Sequence, residues 1–354
     1  MAKARGGRTK RLDLSQAARP GELGLLEQIR YGVLQGAARS LTLGIGDDCA
    51  LLKVRSGEEL AVTTDLSIAG RHFRLDWHPA ESIGHRALAR GLSDLAAMGA
   101  RPVAAFLSLG LPRTLTKSRG RERSWISCFY EGLLALAEAH KTPLAGGDLA
   151  ESPVALADIV LVGAVPRGKA LLRSGARAGD LLYVTGSLGG AALGLARLAA
   201  GSRRLGGRSA RTAAEGFEEV LTPHLYPQPR IAQGLWLRRH GLASAAIDLS
   251  DGLSTDLAHL CTESGVAAEV EASLVPIGPG ARLEQALHGG EDYELLFTAR
   301  PSAHLPQSIG GVPVTRIGKM VRAAKGRPLV TLVNQSGKTG SKQALEPSGW
   351  EHFS

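Results

Sequence analysis

The sequence predicts a two-domain protein of the α/β (α+β) class, and three observations indicate this. The chain has 354 residues, more than a single hydrophobic core usually encloses. Short apolar segments rich in valine and isoleucine alternate with longer segments of helical periodicity in both halves. A Gly- and Arg-rich stretch at 166–179 separates the halves. We expect a disordered basic tail at 1–20, an N-terminal domain at 21–166 and a C-terminal α/β domain at 167–354.

The first half begins with a predicted helix at 21–39, followed by a strand at 60–64 that delivers Asp65 at its end. A second helix is predicted at 79–98, because apolar residues recur there at helical spacing between a proline and a glycine. The next elements are a strand at 103–109, a helix at 125–140, a short strand into Gly146-Gly147-Asp148 and a strand at 153–165.

Strands and helices continue to alternate in the second half. Residues 201–222 are polar and rich in glycine, and we predict a loop with some helix there. The other predicted elements are strands at 181–185, 244–247, 266–270, 294–298 and 312–317, and helices at 186–200, 229–240 and 253–264. Such alternation predicts sheets that are covered by helices.

The net charge of the chain is +9, and five of the positive charges lie in the first twelve residues. A basic tail could bind nucleic acid or membrane phosphates, but such a segment is more often a solvated extension, so we predict neither partner. No apolar stretch approaches the ~20 residues of a membrane helix. The three cysteines are Cys49, Cys128 and Cys261. Their odd number and wide spacing argue against disulfides or structural zinc and predict a cytoplasmic protein.

Acidic residues recur beside glycines or hydroxyls where apolar segments meet turns. They are Asp47, Asp48, Asp65, Asp94, Asp148, Asp248, Asp251, Glu291 and Asp292. Oxygen ligands in this number suit magnesium, which keeps several waters and is shared with substrate phosphates. Each residue also has an ordinary interpretation, such as a turn at 44–48, a helix cap at Asp251 or an ion pair of Asp94 with Arg90. Their joint occurrence favours metal-assisted phosphate chemistry.

Longer segments around these residues are distinctive. They are Gly-Ile-Gly-Asp-Asp-Cys-Ala (44–50), Thr-Thr-Asp (63–65) with Gly-Arg-His-Phe (70–73), Leu-Ser-Asp-Leu-Ala-Ala-Met-Gly-Ala (92–100), Arg-Ser-Gly-Ala (173–176), Ile-Asp-Leu-Ser-Asp-Gly-Leu (247–253), Gly-Gly-Glu-Asp-Tyr-Glu-Leu (289–295) and Gly-Trp-Glu-His-Phe (349–353). In wording and order they resemble the thiamine-monophosphate kinases, a family of the aminoimidazole-ribonucleotide-synthetase superfamily. The resemblance runs from about residue 22 to the C-terminus.

The resemblance implies an N-terminal mixed sheet with helices on one side, which binds metal and nucleotide and pairs two chains into a homodimer. It implies ATP-dependent phosphorylation of thiamine monophosphate to thiamine diphosphate, assisted by several Mg²⁺ ions. By matched position, the magnesium ligands are Asp48, Thr63, Thr64, Asp65, Asp94, Asp148, Asp248 and Asp251. The ATP contacts are Tyr130, Gly147, Asp148, Arg173 and Ser250, and the thiamine-phosphate contacts are His72, Glu291 and Trp350.

The chemistry of the acceptor agrees with this set of residues. A phosphate monoester has its second pKa at about 6, so the acceptor is largely ionised at neutral pH and no general base is needed. Holding two polyanions in line and offsetting their repulsion then suffices. Trp350 could stack on a cationic thiazolium ring, although an aromatic packed on the core is an equally ordinary role.

Two departures from the family pattern stand in the sequence. Leu149-Ala150-Glu151 follow Asp148 where Thr-Thr-Arg is usual, and Gly91 replaces an asparagine. The lost hydroxyls and positive charge predict weaker contacts with ATP after Asp148. Two alternatives stay open: another ATP-dependent enzyme of the superfamily, such as a ring-closing synthetase, and a non-catalytic magnesium-nucleotide-binding protein. The first would need a different acceptor pocket, against which the segment at 289–294 argues.

Overall fold

The structure is a computed structural model. The residues it describes are 29–30, 40–45, 49–117, 123–204, 218–334 and 341–350. The predicted tail at 1–20, most of the predicted helix at 21–39 and the candidate ligand Asp48 lie outside these residues. The fold below is that of the described part of the chain.

Strands and helices alternate along the chain, as the hydrophobic pattern predicts. The helices with described bounds are α1 (Ala80–Ala97), α2 (Trp125–Ala139), α3 (Gly190–Arg204), α4 (Glu218–Leu225), α5 (Ile231–His240), α6 (Leu253–Ser264) and α7 (Leu283–His288). The strands are β1 (Leu41–Leu43), β2 (Leu51–Leu52), β3 (Glu58–Ile68), β4 (Arg101–Leu111), β5 (Leu144–Glu151), β6 (Leu156–Pro166), β7 (Leu181–Thr185), β8 (Ala245–Asp248), β9 (Val266–Glu271), β10 (Leu295–Ala299), β11 (Ser308–Ile309), β12 (Val312–Arg322), β13 (Val330–Asn334) and β14 (Ser341–Ala344).

A four-stranded mixed sheet forms the first half, in the order β3-β6-β4-β5. Only the β4–β5 pair is parallel, and the other neighbours are antiparallel. α1 and α2 cover one face, where Leu88, Leu92 and Leu95 of α1 are buried in the core. The two helices pack closely because Gly84 lacks a side chain: a Cβ there would overlap the carbonyl of Phe129. The predicted mixed sheet with helices on one side is therefore confirmed.

The opposite face of this sheet, which we call the open face, is less covered. Leu41, Leu52 and Val54 pack over part of it. The outward side chains of β3 remain in solvent, with exposures of 52% for Leu60 and 61% for Val62. Side chains alternate between the faces of a strand, so each residue of β3 belongs to one face or the other.

The second half is built on a larger sheet. Its order is β14-β13-β9-β12-β7-β10-β8, with β11 paired to β12. β9 and β13 are parallel, whereas β7, β10 and β8 are antiparallel neighbours. α6 packs on this sheet through buried leucines such as Leu253, Leu257 and Leu260. The predicted α/β class is confirmed for this half as well.

Several elements differ from the prediction. β3 runs to Ile68, because it pairs with β6 along its whole length, so Asp65 lies within the strand rather than at its end. β5 likewise continues through Gly147-Asp148 to Glu151 beside β4. The helix α4 begins inside the stretch that we predicted as a loop with some helix.

The elements without a prediction are short or lack periodicity. α7 has six residues, and all four residues of β14 are exposed, so neither has a clear apolar face. β1 and β2 form a small separate pair. None of the helices described is long and apolar enough to cross a membrane.

α1 joins the two halves of the molecule. It packs against α5, and a Cβ at Gly234 of α5 would overlap the carbonyl of Ala96. Its C-terminal turn also contacts β8. The charged residues of α1 therefore lie between the four-stranded sheet and the larger sheet. The candidate site is at this position.

Candidate active site

Thr63 and Asp65 project from β3 towards α1. Thr63 donates a hydrogen bond through Oγ1 to Oδ2 of Asp94 on α1. Arg90, one turn earlier on α1, donates from Nε and Nη2 to Oδ1 of Asp65, at 3.1 and 2.8 Å. Residues 63, 65, 90 and 94 thus form one polar strip between the strand and the helix. The ion pair of Arg90 with Asp94 that the sequence suggested is not formed, because Arg90 pairs with Asp65 instead.

Asp248 adds a carboxylate from the second half. It ends β8, is 3% exposed and accepts a hydrogen bond of 2.7 Å from Oγ of Ser93. Burial and the charge of Asp248 raise the pKa of Asp94 to about 7. Burial likewise raises the pKa of Asp248 to about 6, while Ser93 and the charge of Arg173 oppose this shift. Two neighbouring carboxylates are therefore held where ionisation is costly.

Asp251 lies in the turn after β8. The backbone N–H groups of Asp251 and Gly252 both donate to Oδ2 of Asp256, each at 3.0 Å. Burial, with Asp248 and Asp251 nearby, raises the pKa of Asp256 to about 8. The turn therefore depends on a buried side chain of α6, which sequence analysis did not single out. Ser250 of this turn accepts the backbone N–H of Glu291 at 2.8 Å.

Thr64 and Asp148 lie apart from this group. Thr64 points to the open face, because it neighbours Thr63 in a regular strand. Asp148 is exposed on the same face of β5, where its Oδ1 accepts the backbone N–H of Leu149 at 2.9 Å. Leu149 itself is buried against the helices. The structure thus divides the proposed magnesium ligands between the two faces of one sheet.

The proposed ATP contacts are also spread out. Tyr130 is 3% exposed within the core of α1 and α2, and burial raises the pKa of its phenol. Gly147 has φ of 148°, and a Cβ there would overlap the carbonyl of Leu107. Arg173 lies close enough for its charge to favour ionised Asp94 and Asp248, and its carbonyl accepts Oγ of Ser264 at 2.7 Å.

Glu291 and His72 meet at Arg86 of α1. Nη2 of Arg86 lies 2.5 Å from Oε1 of Glu291 and 3.2 Å from the carbonyl oxygen of His72. Glu291 adopts a left-handed backbone with φ of 67°, a conformation that is uncommon outside glycine and frequent at functional sites. Burial opposes its ionisation, but Arg86 and His224 outweigh this effect and lower its pKa. A small cavity beside this group is lined by Ser67, His72, Phe73, Ile83, Arg86, Ala87 and Arg90.

Trp350 contacts the site through its backbone N–H. Its N–H donates to the carbonyl of Asp251 at 3.2 Å, and the side chain is 49% exposed. The indole is half exposed beside the Asp251 turn, whereas an aromatic packed on the core would be buried. Of the three proposed thiamine-phosphate contacts, His72 and Glu291 share Arg86, and Trp350 lies at the Asp251 turn.

Several polar residues of the site escaped sequence analysis. They are His78, Arg86, His224 and Asp256. Arg86, Arg90 and Asp94 recur every four residues on one helix, and this pattern of charges on one helix face is a signal that sequence alone offered. His78 and His224 carry no comparable signal, because a lone histidine beside a proline-containing turn is commonplace.

The donor chemistry of the strip fits a divalent cation. Asp94 is partly buried and Asp248 is buried, their carboxylates repel each other when both are ionised, and a bound cation would offset that repulsion. Thr63 and Asp65 add further oxygen donors of the type that magnesium prefers. Within the described ranges, no three carboxylate, imidazole or thiol groups are arranged to hold a metal by themselves.

Comparison with known proteins gives matches along most of the chain. The N-terminal domain of AIR synthase related proteins matches residues 46–165, and their C-terminal domain matches residues 177–330. The thiamine-monophosphate kinase of Escherichia coli (strain K12) is 38% identical over 346 residues, which cover 94% of this chain and 98% of that protein.

Solved structures agree with these sequence matches. The thiamine-monophosphate kinase from Stenotrophomonas maltophilia K279a has a TM-score of 0.74 and 38% identity, and the alignment covers 87% of this chain and 95% of that one. The complex of AaThiL with AMPPCP and TMP has a TM-score of 0.69 and 31% identity, over 94% and 97% of the two chains. These matches confirm the resemblance that the motifs predicted. The chain belongs to the thiamine-monophosphate kinase family.

Proposed function

We propose that this protein transfers the γ-phosphoryl group of ATP to thiamine monophosphate and so makes thiamine diphosphate, the last step of a thiamine diphosphate biosynthesis. The observation that carries this proposal is the 38% identity to a thiamine-monophosphate kinase over 94% of the chain. The AaThiL complex adds support, since that relative holds AMPPCP and TMP. The polar strip between β3 and α1 supplies the carboxylates that such a reaction needs.

We infer that Asp65, Asp94 and Asp248 are the magnesium ligands that the fold brings closest to each other. Asp48, Thr63, Thr64, Asp148 and Asp251 remain proposed ligands, as the family resemblance implies. When bound, magnesium would offset the charge of the phosphate groups. Arg90 orients Asp65, Thr63 orients Asp94, and Ser93 orients Asp248. Asp256 holds the turn that presents Asp251 and Ser250.

No side chain is assigned as a general base. The acceptor phosphate is ionised at neutral pH, so an in-line attack needs no proton to be removed first. The protein therefore has to align the acceptor phosphate with the γ-phosphate of ATP and keep both from repelling each other. Trp350 and Glu291 would hold the thiamine moiety, and Tyr130, Gly147, Asp148, Arg173 and Ser250 the nucleotide.

We also propose that two chains pair through the N-terminal domain at 21–166. The exposed apolar side chains of β3, Leu60, Val62 and Leu66, support this, because exposed apolar side chains on one strand face favour a partner. Thr64 lies on the same open face as these side chains. A second chain there would bring Thr64 and Asp148 next to an interface.

A turnover assay tests the function. With ATP and magnesium, thiamine monophosphate should give thiamine diphosphate, and free thiamine should give no comparable turnover, because its hydroxyl would need deprotonation. Equal turnover with both acceptors would contradict the proposal. Binding of ATP without any product would instead favour the non-catalytic alternative, and ring closure of another substrate would favour a different enzyme of the superfamily.

A further inference from the structure

Arg86 and His224 form a buried polar contact between the two halves of the chain. The side chain of Arg86 is 5% exposed and that of His224 is 1% exposed. Nη1 of Arg86 lies 2.9 Å from Nε2 of His224, while its Nη2 bonds Glu291. A guanidinium can only donate, so Nε2 of His224 must be the acceptor.

This contact fixes the tautomer of His224. If Nε2 accepts, a neutral His224 carries its proton on Nδ1. That Nδ1 lies 3.3 Å from Oε2 of Glu291, within reach of its charge but outside hydrogen-bond geometry, and it has no hydrogen-bond partner within the described residues. The proton on Nδ1 therefore lies beside the carboxylate and is attracted by its charge. Glu291 is bonded on one oxygen by Arg86 and faces His224 with the other.

His78 completes the network with the opposite tautomer. Its Nε2 lies 3.0 Å from Nε2 of His224, and its Nδ1 lies 3.1 Å from the backbone N and 3.2 Å from the carbonyl oxygen of Arg74. Since Nε2 of His224 has no proton, Nε2 of His78 must be the donor between the two rings. Nδ1 of His78 then carries no proton and accepts the N–H of Arg74 rather than donating to its carbonyl. Burial and the charge of Arg86 lower the pKa of His78 to about 3, and burial also lowers the pKa of His224. Arg86 and Glu291 are the charged groups that face this pair, so both rings stay neutral at physiological pH.

The network ties together four segments of the chain. They are the loop of His72 and His78 after β3, helix α1 with Arg86, helix α4 with His224, and the loop of Glu291 before β10. The carboxylate of Glu291 contacts Arg86 and His224 inside the protein. The Glu291 side chain is still 25% exposed. The contacts with Arg86 and His224 help to hold the left-handed backbone at Glu291, because an L-residue adopts this conformation at a cost in free energy.

We propose that His224 is a positioning residue for the thiamine-phosphate pocket: with His78 it fixes Arg86 and Glu291, and so sets the affinity for the acceptor substrate and not for ATP. This inference rests on the proposed function only for the identity of the acceptor. The polarity of the network, in which Arg86 and His78 both donate to Nε2 of His224, does not depend on the reaction, because it follows from the donor-only chemistry of the guanidinium. α4 thereby contributes a buried histidine to the acceptor pocket.

NMR of the wild-type protein with ¹⁵N-labelled histidine tests the polarity without any substrate. We expect two neutral rings of opposite tautomer at pH 7, with the proton of His224 on Nδ1 and that of His78 on Nε2. Variants at each histidine assign the signals. A charged ring, or a proton on Nε2 of His224, would overturn the network. This result does not depend on whether the wild-type protein phosphorylates thiamine monophosphate. The proposed network and the proposed function can therefore be refuted independently of each other.

Steady-state kinetics test the positioning role. His224→Leu should raise the KM for thiamine monophosphate at least ~10-fold and leave the KM for ATP within about twofold, because only the acceptor contacts Glu291. His224→Gln should restore part of the loss, since its amide oxygen reaches the place of Nε2 and can accept from Arg86 and His78. His224→Asn offers an amide N–H near the position of Nδ1 but no acceptor at the position of Nε2. It should therefore restore less of the affinity for thiamine monophosphate than His224→Gln.

His85→Gln is the matched control. His85 is a buried histidine of α1 whose Nε2 bonds the carbonyl of Pro227 at 2.8 Å, outside the network. Its replacement should change stability without a selective change in the KM for thiamine monophosphate. Folded His224→Leu protein with unchanged KM values, or with equal rises for both substrates, would overturn the positioning role. If His224→Leu does not fold, the ranking of the Gln and Asn variants decides.

Discussion

Oγ of Ser93 on α1 donates a 2.7 Å hydrogen bond to Oδ2 of Asp248 at the end of β8, which joins the two halves of the chain inside the candidate site. The residues are 155 positions apart, and both are almost completely buried. Because Ser93 precedes Asp94, this bond also places the Asp94 and Asp248 carboxylates next to each other. The site therefore exists only when the halves are packed together.

Ser93→Ala should lower the free energy of unfolding by about 1–3 kcal/mol, because a buried carboxylate loses its donor. It should also raise the pKa of Asp248 further, since the bond to Ser93 favours the ionised form. Urea unfolding at pH 7 measures the first effect. Ser82→Ala is the control, since Ser82 is equally buried on α1 but bonds only the local carbonyl of Pro79. Equal losses in both variants would contradict a special role of the Ser93–Asp248 bond.

Asp94→Asn should reduce turnover at least ~100-fold and leave the protein folded, because it removes charge that would hold a cation against the phosphates. Without metal at pH 8, the melting temperature should not fall, since the ionised form of Asp94 is unfavourable in the buried site. The rise in melting temperature on addition of magnesium should shrink. Glu263→Gln, a neutralised carboxylate on the exposed side of α6, should keep wild-type values. Near-normal turnover of Asp94→Asn would make Asp94 a structural residue.

His78 should make the protein less stable in acid. Its pKa is about 3 in the folded protein, against 6.5 in an unfolded chain. Between these values only the unfolded chain binds the proton, so the free energy of unfolding falls as the pH falls below about 6.5. By pH 5 this one residue costs roughly 2 kcal/mol. In His78→Gln, the loss of stability between pH 7 and pH 5 should be smaller by about that amount, measured by urea unfolding.

The control for that experiment is His304→Gln, which changes an exposed histidine and should keep the wild-type difference between the two pH values. If His78→Gln and the wild-type protein lose stability in parallel, then His78 is not held neutral in the folded protein.

Trp350→Ala should raise the KM for thiamine monophosphate more than the KM for ATP, because a stacked indole acts on the cationic thiazolium ring alone. The half-exposed side chain predicts little change in the melting temperature. Trp350→Phe should recover part of the affinity. Equal effects on both substrates, or a marked loss of stability, would indicate that Trp350 supports the Asp251 turn instead.

Val62→Asp should convert a dimer into a monomer, because it places a charge in the exposed apolar strip of β3. Light scattering after size-exclusion chromatography measures the mass of both proteins. Leu172→Asp is the control: Leu172 is 48% exposed, which is comparable, but belongs to the second half. A wild-type monomer, or a Val62→Asp protein that is still dimeric, would exclude pairing through this face.

The elements that the sequence predicted share one physical property. α1, α2, β6 and α6 have long apolar patterns of a single period, and burial of one face follows from such a pattern alone. The missed elements, α7 and β14, are short or exposed, so the chain carries no pattern for them. The end of β3 was placed too early, because pairing with β6 extends the strand beyond Asp65 to Ile68.

The sequence by itself determined the fold class, the family and the set of acidic residues, because each is written in local motifs and periodicity. The two proposed ligands Thr63 and Thr64 lie on opposite faces of β3 in the structure, since strand side chains alternate. Only the tertiary structure decided which face of β3 packs against α1, and which residues Arg86 bonds. Its bonds to His224 and Glu291 span 138 and 205 residues of chain, and such contacts depend on how the two sheets pack around one helix.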